Sequence, residues 1–228
     1  MALFGILGIA YLLGSFPTGY LLAKGLKGID IRDHGSGGTG ATNVLRTVGK
    51  GPALVVFGVD LLKGSAAVWI AQGIWPLVLT HGDNTGGGFF GGSLPDDLQP
   101  WIAMLAGLMA LLGHSRSVWL GFTGGKSVAS GLGVLLAMAW PVALGALGVF
   151  GLTLALSRIV SLGSMLAALA AVLLMVVTGQ PLAYTLLALL GGGYVIVRHR
   201  DNIQRLLAGT EPRIGQSALA QKPGSTES

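Results

Sequence analysis

VASGLGVLLAMAWPVALGALGVFGLTLAL, the run from Val128 to Leu156, contains no charged residue. A helix that crosses a bilayer needs about 20 predominantly apolar residues, because the hydrocarbon core is about 30 Å thick. Over the whole chain of 228 residues, 52% are hydrophobic and only 10% are charged, with a mean hydropathy of +0.72. A soluble domain of this length needs more charge to cover its surface. The sequence therefore predicts an all-α integral membrane protein.

Pro141 stands near the middle of this run and raises the question of whether the run crosses once or twice. The run is long for one span, and an internal proline removes a backbone donor and kinks or breaks a helix. A single crossing would place Arg158 and the basic C-terminal region outside, whereas two short helices about Pro141 return them to the cytoplasm. We therefore predict two helices here and about seven transmembrane helices in all, several of them short. The predicted ranges are 2–23, 52–72, 100–112, 128–140, 142–157, 159–178 and 182–197.

The charge of the connecting segments predicts the orientation. Basic residues fill the segment between the first two runs: Lys24, Lys27, Arg32, Arg46 and Lys50. The segment 81–99 has aspartates but no lysine or arginine, within a region 72–100 that we expect to be an outer loop. By the positive-inside rule, the N-terminus lies outside and the C-terminus is cytoplasmic. Residues 1–215 are then a single transmembrane domain, and the polar segment 216–228 is predicted to be a disordered tail.

The first of three polar, glycine-rich stretches runs from Asp30 to Arg46. Its closely spaced glycines leave backbone N–H groups open to a ligand, and a helix expected to begin near Ala41 adds the positive end of its dipole. The stretch is therefore suited to phosphate, although a solvated, flexible loop explains the glycines equally well. No Gly-Lys-Ser/Thr follows at P-loop spacing. The candidate ligand-binding residues are Ser36, Gly37, Gly40, Thr42, Asn43 and Arg46.

The second stretch consists of residues 113–116 and 122–127. Gly124 and Gly125 offer bare N–H groups, and Lys126 adds a point positive charge at a helix start. Taken alone, Lys126 is more simply explained as an interfacial lysine whose ammonium reaches toward water. Walker A spacing is absent, because Leu120 stands where the first glycine of that motif should be.

The third stretch runs from Arg198 to Glu211 and is predicted to be a helix that leaves the membrane. His199 and Asn202 lie one turn apart on a single face of that helix. Attraction to anionic lipid explains the arginines of this segment, but it does not explain His199, Asn202 or Glu211.

Polar residues also lie inside the apolar runs. Asp60 and Lys63, at positions i and i+3, are expected to neutralise each other inside the bundle, with a structural role favoured over a functional one. Ser161 and Ser164 are expected either to bond backbone carbonyls, as serines in membrane helices usually do, or to reach a ligand near the cytoplasmic surface.

Several kinds of chemistry are excluded. The chain has no cysteine, and its four histidines lack metal-ligand spacing. Neither the H-x4-D pattern of one acyltransferase class nor a G-x-S-x-G elbow is present. The basic charges lie in membrane-flanking segments, so the net charge of +5 does not indicate nucleic acid as a partner. A site without an obvious base of its own suits a substrate that is already activated.

Together, the three stretches resemble the bacterial acyl-phosphate:glycerol-3-phosphate acyltransferases. The first family motif, approximately G-S-G-N-x-G-A-T-N-x-x-R, is similar to residues 35–46. The second, G-H followed by F-K-G-G-K-G-V-A, is similar to residues 113–114 and 122–129, and the third, R-H-x-x-N-I-x-R-L-x-x-G-x-E, matches residues 198–211. The chain departs from these motifs only at Gly38, Thr123 and Ser127. The similarity extends to about Gly215.

The resemblance implies a seven-helix bundle in the bacterial inner membrane that moves an acyl group from acyl phosphate to the 1-hydroxyl of glycerol 3-phosphate. It implies a cytoplasmic site, with His199, Asn202, Lys126 and Arg46 as catalytic residues. The first glycine-rich stretch, the Gly124–Gly125 turn, Ser161, Ser164 and Glu211 would complete the substrate contacts. We expect no cofactor, no metal and no obligate protein partner, with membrane lipid as the surroundings. The alternatives are a transporter of a phosphorylated solute and a structural membrane protein.

Overall fold

The computed structural model describes residues 1–80 and 98–215, with side chains for all of these except 76–80. The predicted tail 216–228 and most of the predicted outer loop lie outside the described residues. In the described ranges the regular secondary structure is helical, as expected. The helices are α1 (Ala2–Ser15), α2 (Thr18–Lys27), α3 (Ala41–Thr47), α4 (Lys50–Thr80), α5 (Gln99–Ser115), α6 (Val128–Ser157), α7 (Val160–Val177), α8 (Leu182–Arg198) and α9 (Arg200–Leu207).

Four helical stretches of the described chain are long and apolar enough to cross a membrane. They are Ala2–Lys27, Lys50–Trp75, Val128–Ser157 and Val160–Val177, and α8 with α9 makes a fifth if that bent pair counts as one span. An all-helical membrane protein is thus confirmed. The number of seven spans and the orientation of the termini stay predictions.

The first predicted helix, 2–23, is wrong as a continuous element, because the chain breaks between α1 and α2. Pro17 lacks a backbone N–H and follows Phe16, whose φ of −54° and ψ of 118° are not helical. The carbonyl oxygen of Phe16 instead accepts a 2.9 Å hydrogen bond from Nζ of Lys63 in α4. A buried lysine thus stabilises the open end of a broken membrane helix.

The second predicted helix, 52–72, was too short at both ends, since α4 extends from Lys50 to Thr80. Pro52 is accommodated because the N–H groups of a helix's first turn have no intrahelical partner. The expected outer loop therefore cannot begin at residue 72. Residues 72–80, which we expected in the loop, form the end of α4.

The break predicted at Pro141 is present, slightly earlier in the sequence. Ala139 has φ of −151° and ψ of 75° inside α6, which is otherwise helical on both sides. Proline lacks the N–H for the carbonyl four residues back and its ring clashes with that carbonyl. The distortion therefore falls in the turn before the proline.

Small residues allow the helices to approach closely, as expected for a membrane bundle. A Cβ at Gly133 in α6 would overlap the carbonyl oxygen of Leu61 in α4, and one at Gly14 in α1 would overlap that of Ala110 in α5. Ser65 in α4 also donates a 2.8 Å hydrogen bond to the carbonyl of Gly133. Backbone contact without space for a methyl group therefore fixes the α4–α6 and α1–α5 pairs.

Candidate active site

The three glycine-rich stretches meet around one cavity that is lined by polar residues, the polar cavity. Most of the predicted site residues line it: Ser36, Gly40, Thr42, Asn43, Arg46, Gly125, Lys126, Ser161, Ser164, His199, Asn202 and Glu211. Gly37 and Gly124 do not line the cavity, although they belong to the turns that form its wall. Asp60 and His114 also line it, and neither was predicted to belong to the site.

Asn43 shapes the first glycine-rich loop from its centre. Its Nδ2 donates to the carbonyls of Ile31, His34 and Gly38 at 3.1, 2.9 and 2.8 Å, and its Oδ1 accepts from the backbone N–H of Ser36 at 3.0 Å. The residue is only 2% exposed. Since its amide group is fully used within the loop, Asn43 contributes to the cavity by holding the loop closed.

Gly35 is required by that arrangement. Its φ is +59°, a backbone conformation that residues with a side chain rarely adopt. A Cβ at this position would also overlap Oδ1 of Asn43. The loop then enters α3 at Ala41, where the helix was predicted to begin. Arg46 follows in the last turn of α3 and lines the cavity.

Arg32 ties the first stretch to the second. Its Nη1 donates to the carbonyl of Leu120 at 3.2 Å and to Oγ1 of Thr123 at 3.3 Å, while Nη2 binds Asp30 at 2.6 Å. The hydrogen bonds from Arg32 lower the pKa of the Asp30 carboxyl to about 2, so this pair stays charged across the physiological range. The two loops are therefore held together outside the cavity.

Lys126 projects from the second stretch and donates to Oδ1 of Asn202 in the third. Burial, supplemented by the charge of Arg205, lowers the pKa of the Lys126 ammonium to about 8. A lysine with this pKa is still mostly protonated at neutral pH, but the nearby Glu211 and Asp201 carboxylates offset only part of the cost of burying its charge. An anion beside it would restore the missing compensation.

His199 lies at the junction of α8 and α9, where the chain bends by 58°. The side chain is 3% exposed, and its Nδ1 lies 2.7 Å from the carbonyl oxygen of Val195. A carbonyl only accepts, so Nδ1 carries the hydrogen and Nε2 of the neutral ring is an acceptor. The bend places Asn202 in the wall of the same cavity.

Glu211 accepts three hydrogen bonds and is 6% exposed. Ser161 and Asn202 donate to its Oε1 at 2.7 and 2.6 Å, and Arg205 donates to Oε2 at 2.7 Å. Although burial alone would raise it, the pKa of the Glu211 carboxyl is kept below its usual value by these hydrogen bonds and by the charge of Arg205. A carboxylate stabilised in this way orients its neighbours and is a poor base.

The two serines of α7 donate hydrogen bonds to different kinds of acceptor. Ser164 donates to the carbonyl of Val160 at 2.9 Å, which is the backbone hydrogen bond expected for a serine in a membrane helix. Ser161 instead donates to Glu211, because the segment after α9 returns over the start of α7. Both serines line the polar cavity.

The buried pair predicted in α4 is present. Oδ1 of Asp60 lies 2.8 Å from Nζ of Lys63, and the residues are 2% and 7% exposed. The further contacts of the two residues were not predicted: Lys63 also donates to the Phe16 carbonyl, and Asp60 lies near His114. Among the described residues, no cluster of three or more His, Asp or Glu side chains could hold a metal ion.

An apolar cavity adjoins the polar one. It lies among α5, α6, α7 and α8 and is lined by small and aliphatic residues such as Gly131, Ala168 and Gly192. The two cavities share wall residues, namely Phe57, Ser127, Val128, Ala129, Phe150 and Ser164. A ligand with a charged head and a long apolar chain fits this combination.

Comparisons with known proteins agree with these features. Residues 4–209 match the family described as Glycerol-3-phosphate acyltransferase. A Glycerol-3-phosphate acyltransferase from Acaryochloris marina is 58% identical over 92% of this chain and 92% of its own length. Glycerol-3-phosphate acyltransferase 2 from Rhizobium johnstonii is 62% identical over 93% of this chain and 95% of its own length.

Two crystal structures of PlsY, an integral membrane glycerol 3-phosphate acyltransferase, have a similar fold. The glycerol 3-phosphate form is 36% identical and has a TM-score of 0.81, covering 97% of this chain and 100% of that one. The lysphosphatidic acid form is 38% identical and has a TM-score of 0.77, covering 94% and 96%. The family expected from the three motifs is thereby confirmed. The chain belongs to the glycerol-3-phosphate acyltransferase family.

Proposed function

We propose that this chain transfers a fatty acyl group from an acyl phosphate to the 1-hydroxyl of glycerol 3-phosphate, giving lysophosphatidic acid and inorganic phosphate. The observation that carries the proposal is the pair of adjoining cavities, one polar and lined by cations, the other apolar. The family supplies the acyltransferase activity and the glycerol 3-phosphate substrate. The acyl-phosphate donor rests on the motifs and on the chemistry of the site.

The acyl donor would place its chain in the apolar cavity and its phosphate against the loop 36–42. Arg46 and Lys126 line the same cavity and supply positive charge there. Negative charge accumulates on the phosphate as it leaves, so donors already fixed in place lower the barrier more than they strengthen substrate binding. No nucleophilic side chain is needed, because acyl phosphate is already activated.

Glycerol 3-phosphate would lie against the Gly125–Lys126 turn, His199 and Asn202. Its 1-hydroxyl oxygen attacks the acyl carbon, the bond from that carbon to the bridging oxygen breaks, and phosphate leaves with the electron pair. The hydroxyl proton passes to Nε2 of His199, which is an acceptor in the neutral ring, or to a substrate phosphate oxygen. Glu211 takes no proton in this scheme, since its hydrogen bonds stabilise the carboxylate.

The site would face the cytoplasm of a bacterial cell from its inner membrane. The basic residues of the segment 24–50 support that side by the positive-inside rule. Glycerol 3-phosphate would then arrive from solution and the acyl donor from the lipid. A transporter of a phosphorylated solute, the main alternative, is not favoured by the family.

The direct test is acyl transfer by purified protein in detergent, with palmitoyl phosphate and glycerol 3-phosphate as substrates. We expect phosphate release that requires both substrates, with one lysophosphatidic acid formed for each phosphate. A parallel reaction with palmitoyl-CoA tests the donor. If palmitoyl-CoA supports acylation and palmitoyl phosphate does not, the acyl-phosphate assignment is wrong. If neither donor supports acylation, the proposed activity is wrong.

A further inference from the structure

His114 lies directly beneath the turn that presents Lys126. The backbone N–H of Gly125 donates to the His114 carbonyl at 3.2 Å, and a Cβ at Gly124 would overlap that same carbonyl oxygen. A Cβ at Gly125 would overlap Nε2 of the His114 ring. The main chain of the turn therefore rests on His114 without space for a side chain between them.

The ring is fixed from its other side by α4 and α6. Its Nδ1 lies 3.1 Å from Oγ of Ser130 and 3.6 Å from Oδ1 of Asp60. Asp60 is in turn held by Lys63 at 2.8 Å. All four side chains are less than 10% exposed, so the ring has one position available to it.

Arg198 closes the turn from above, with Nη2 at 3.2 Å from the Gly125 carbonyl oxygen. The turn is thus clamped between a cation and an imidazole ring, and Lys126 is the next residue. The Nε2 edge of His114 that could otherwise meet a substrate is covered by Gly125. His114 also lines the polar cavity, but its Nε2 edge faces the turn, so we expect its effect on the reaction to pass through the turn.

We infer that His114, hydrogen-bonded to Ser130 and packed beside Asp60, is a positioning residue that fixes where Lys126 meets the donor phosphate. This inference rests on the proposed role of Lys126 in binding that phosphate. Removing the ring would let the turn sink toward α5, and Lys126 would lose its place between Asn202 and the phosphate. A shift of about 1 Å in a positioned group is enough to lower turnover by orders of magnitude.

A double-mutant cycle on kcat/KM tests the inference. We expect His114→Ala to lower kcat/KM by about 10-fold or more in the wild-type background, and by less than about 2-fold in a Lys126→Ala background. If the Lys126→Ala protein is too slow for a steady-state assay, the same cycle is measured with single-turnover rates. Met104→Ala, a cavity-forming change in α5 that lies in the wall of neither cavity, is the control, and its effect should be equal in both backgrounds.

A size exchange provides a second measurement. Gly125→Ala should be strongly impaired because its methyl group meets the ring, and Gly125→Ala combined with His114→Ala should be more active than Gly125→Ala alone. Equal losses from His114→Ala with and without Lys126 would overturn the inference while leaving the proposed activity intact. Unchanged turnover in Lys126→Ala by itself would overturn both the phosphate role of Lys126 and this inference.

Discussion

Nδ2 of Asn202 donates a 2.6 Å hydrogen bond to Oε1 of Glu211, and this contact decides which end of the amide faces the cavity. Because the Glu211 carboxylate only accepts, the Asn202 oxygen is turned toward Lys126, which donates to it. A residue near the C-terminal end of the described chain thereby orients a side chain that lies against the candidate phosphate site.

The carboxylate of Glu211 should be essential for that orientation. In Glu211→Gln the new NH₂ group must face either Arg205 or the Ser161 and Asn202 donors, so at least one buried donor loses its acceptor. We expect kcat/KM for glycerol 3-phosphate to fall by at least about 10-fold, from the loss of one to two charge-assisted hydrogen bonds. Steady-state phosphate release measures the change.

Asp201→Asn is the matched control, since it also converts a carboxylate to an amide in α9 but at an exposed position. Its kcat/KM should stay within about twofold of wild type. Glu211→Gln activity equal to that of Asp201→Asn would contradict the orienting role.

The pH dependence of kcat/KM should follow the protonation of Lys126. Its pKa of about 8 means that the ammonium is protonated below that pH and loses its charge as pH rises above it. The positive charge that we propose binds phosphate is therefore present at neutral pH, and kcat/KM, which reports the free enzyme, should fall above pH 8. Lys126→Arg keeps its charge at higher pH, so the alkaline fall should disappear in that variant. The same fall in both proteins would assign it to another group.

Breaking the buried ion pair should cost stability. Lys63→Met leaves the Asp60 carboxylate without its nearest cation and the Phe16 carbonyl without its donor. Removal of one partner of a buried pair costs about 3–5 kcal/mol, so thermal unfolding in detergent should occur at clearly lower temperature. Lys50→Met, an exposed lysine at the start of the same helix, should unfold like wild type. A similar unfolding temperature for both variants would mean that the pair is not stabilising.

The α4–α6 contact should be intolerant of a single methyl group. Gly133→Ala must separate the two helices, because its Cβ meets the backbone carbonyl of Leu61. Gly148→Ala is the control in the same helix, where a Cβ meets nothing within 4 Å. We expect a lower unfolding temperature for the first and an equal or higher one for the second, since alanine favours a helix by about 1 kcal/mol over glycine. Equal temperatures would contradict close packing at Gly133.

The sequence predicted which polar residues lie together better than it predicted the helix ends. The charge and glycine patterns predicted that Arg46, Lys126 and His199 lie on the same side of the membrane, and the three residues line one cavity. The prediction was possible because polar groups in a membrane protein have few stable locations. The ends of α4 were missed, since an apolar run does not show where backbone hydrogen bonding stops. The break after Phe16 was also missed: Pro17 marks it in the sequence, but the Lys63 ammonium that satisfies the freed carbonyl is distant in sequence.

Two side-chain roles also needed three-dimensional structure. Asn43 is typical of a ligand-binding loop by its motif, yet its amide is used within the loop. His114 lies at the end of α5 within the second motif. Gly124 and Gly125 indicate that the turn packs closely against another group, but only the structure identifies that group as His114.

The central claim is that the three glycine-rich stretches share one site at one face of the membrane. The chain has no cysteine, so single cysteines at Ser36, Thr123 and Arg200, all exposed, can be labelled one at a time with a membrane-impermeant maleimide. In intact cells we expect a cysteine replacing Ala2 near the N-terminus to react and the other three to react only after the membrane is opened. Labelling of any one of the three in intact cells, with the others protected, would contradict a shared site.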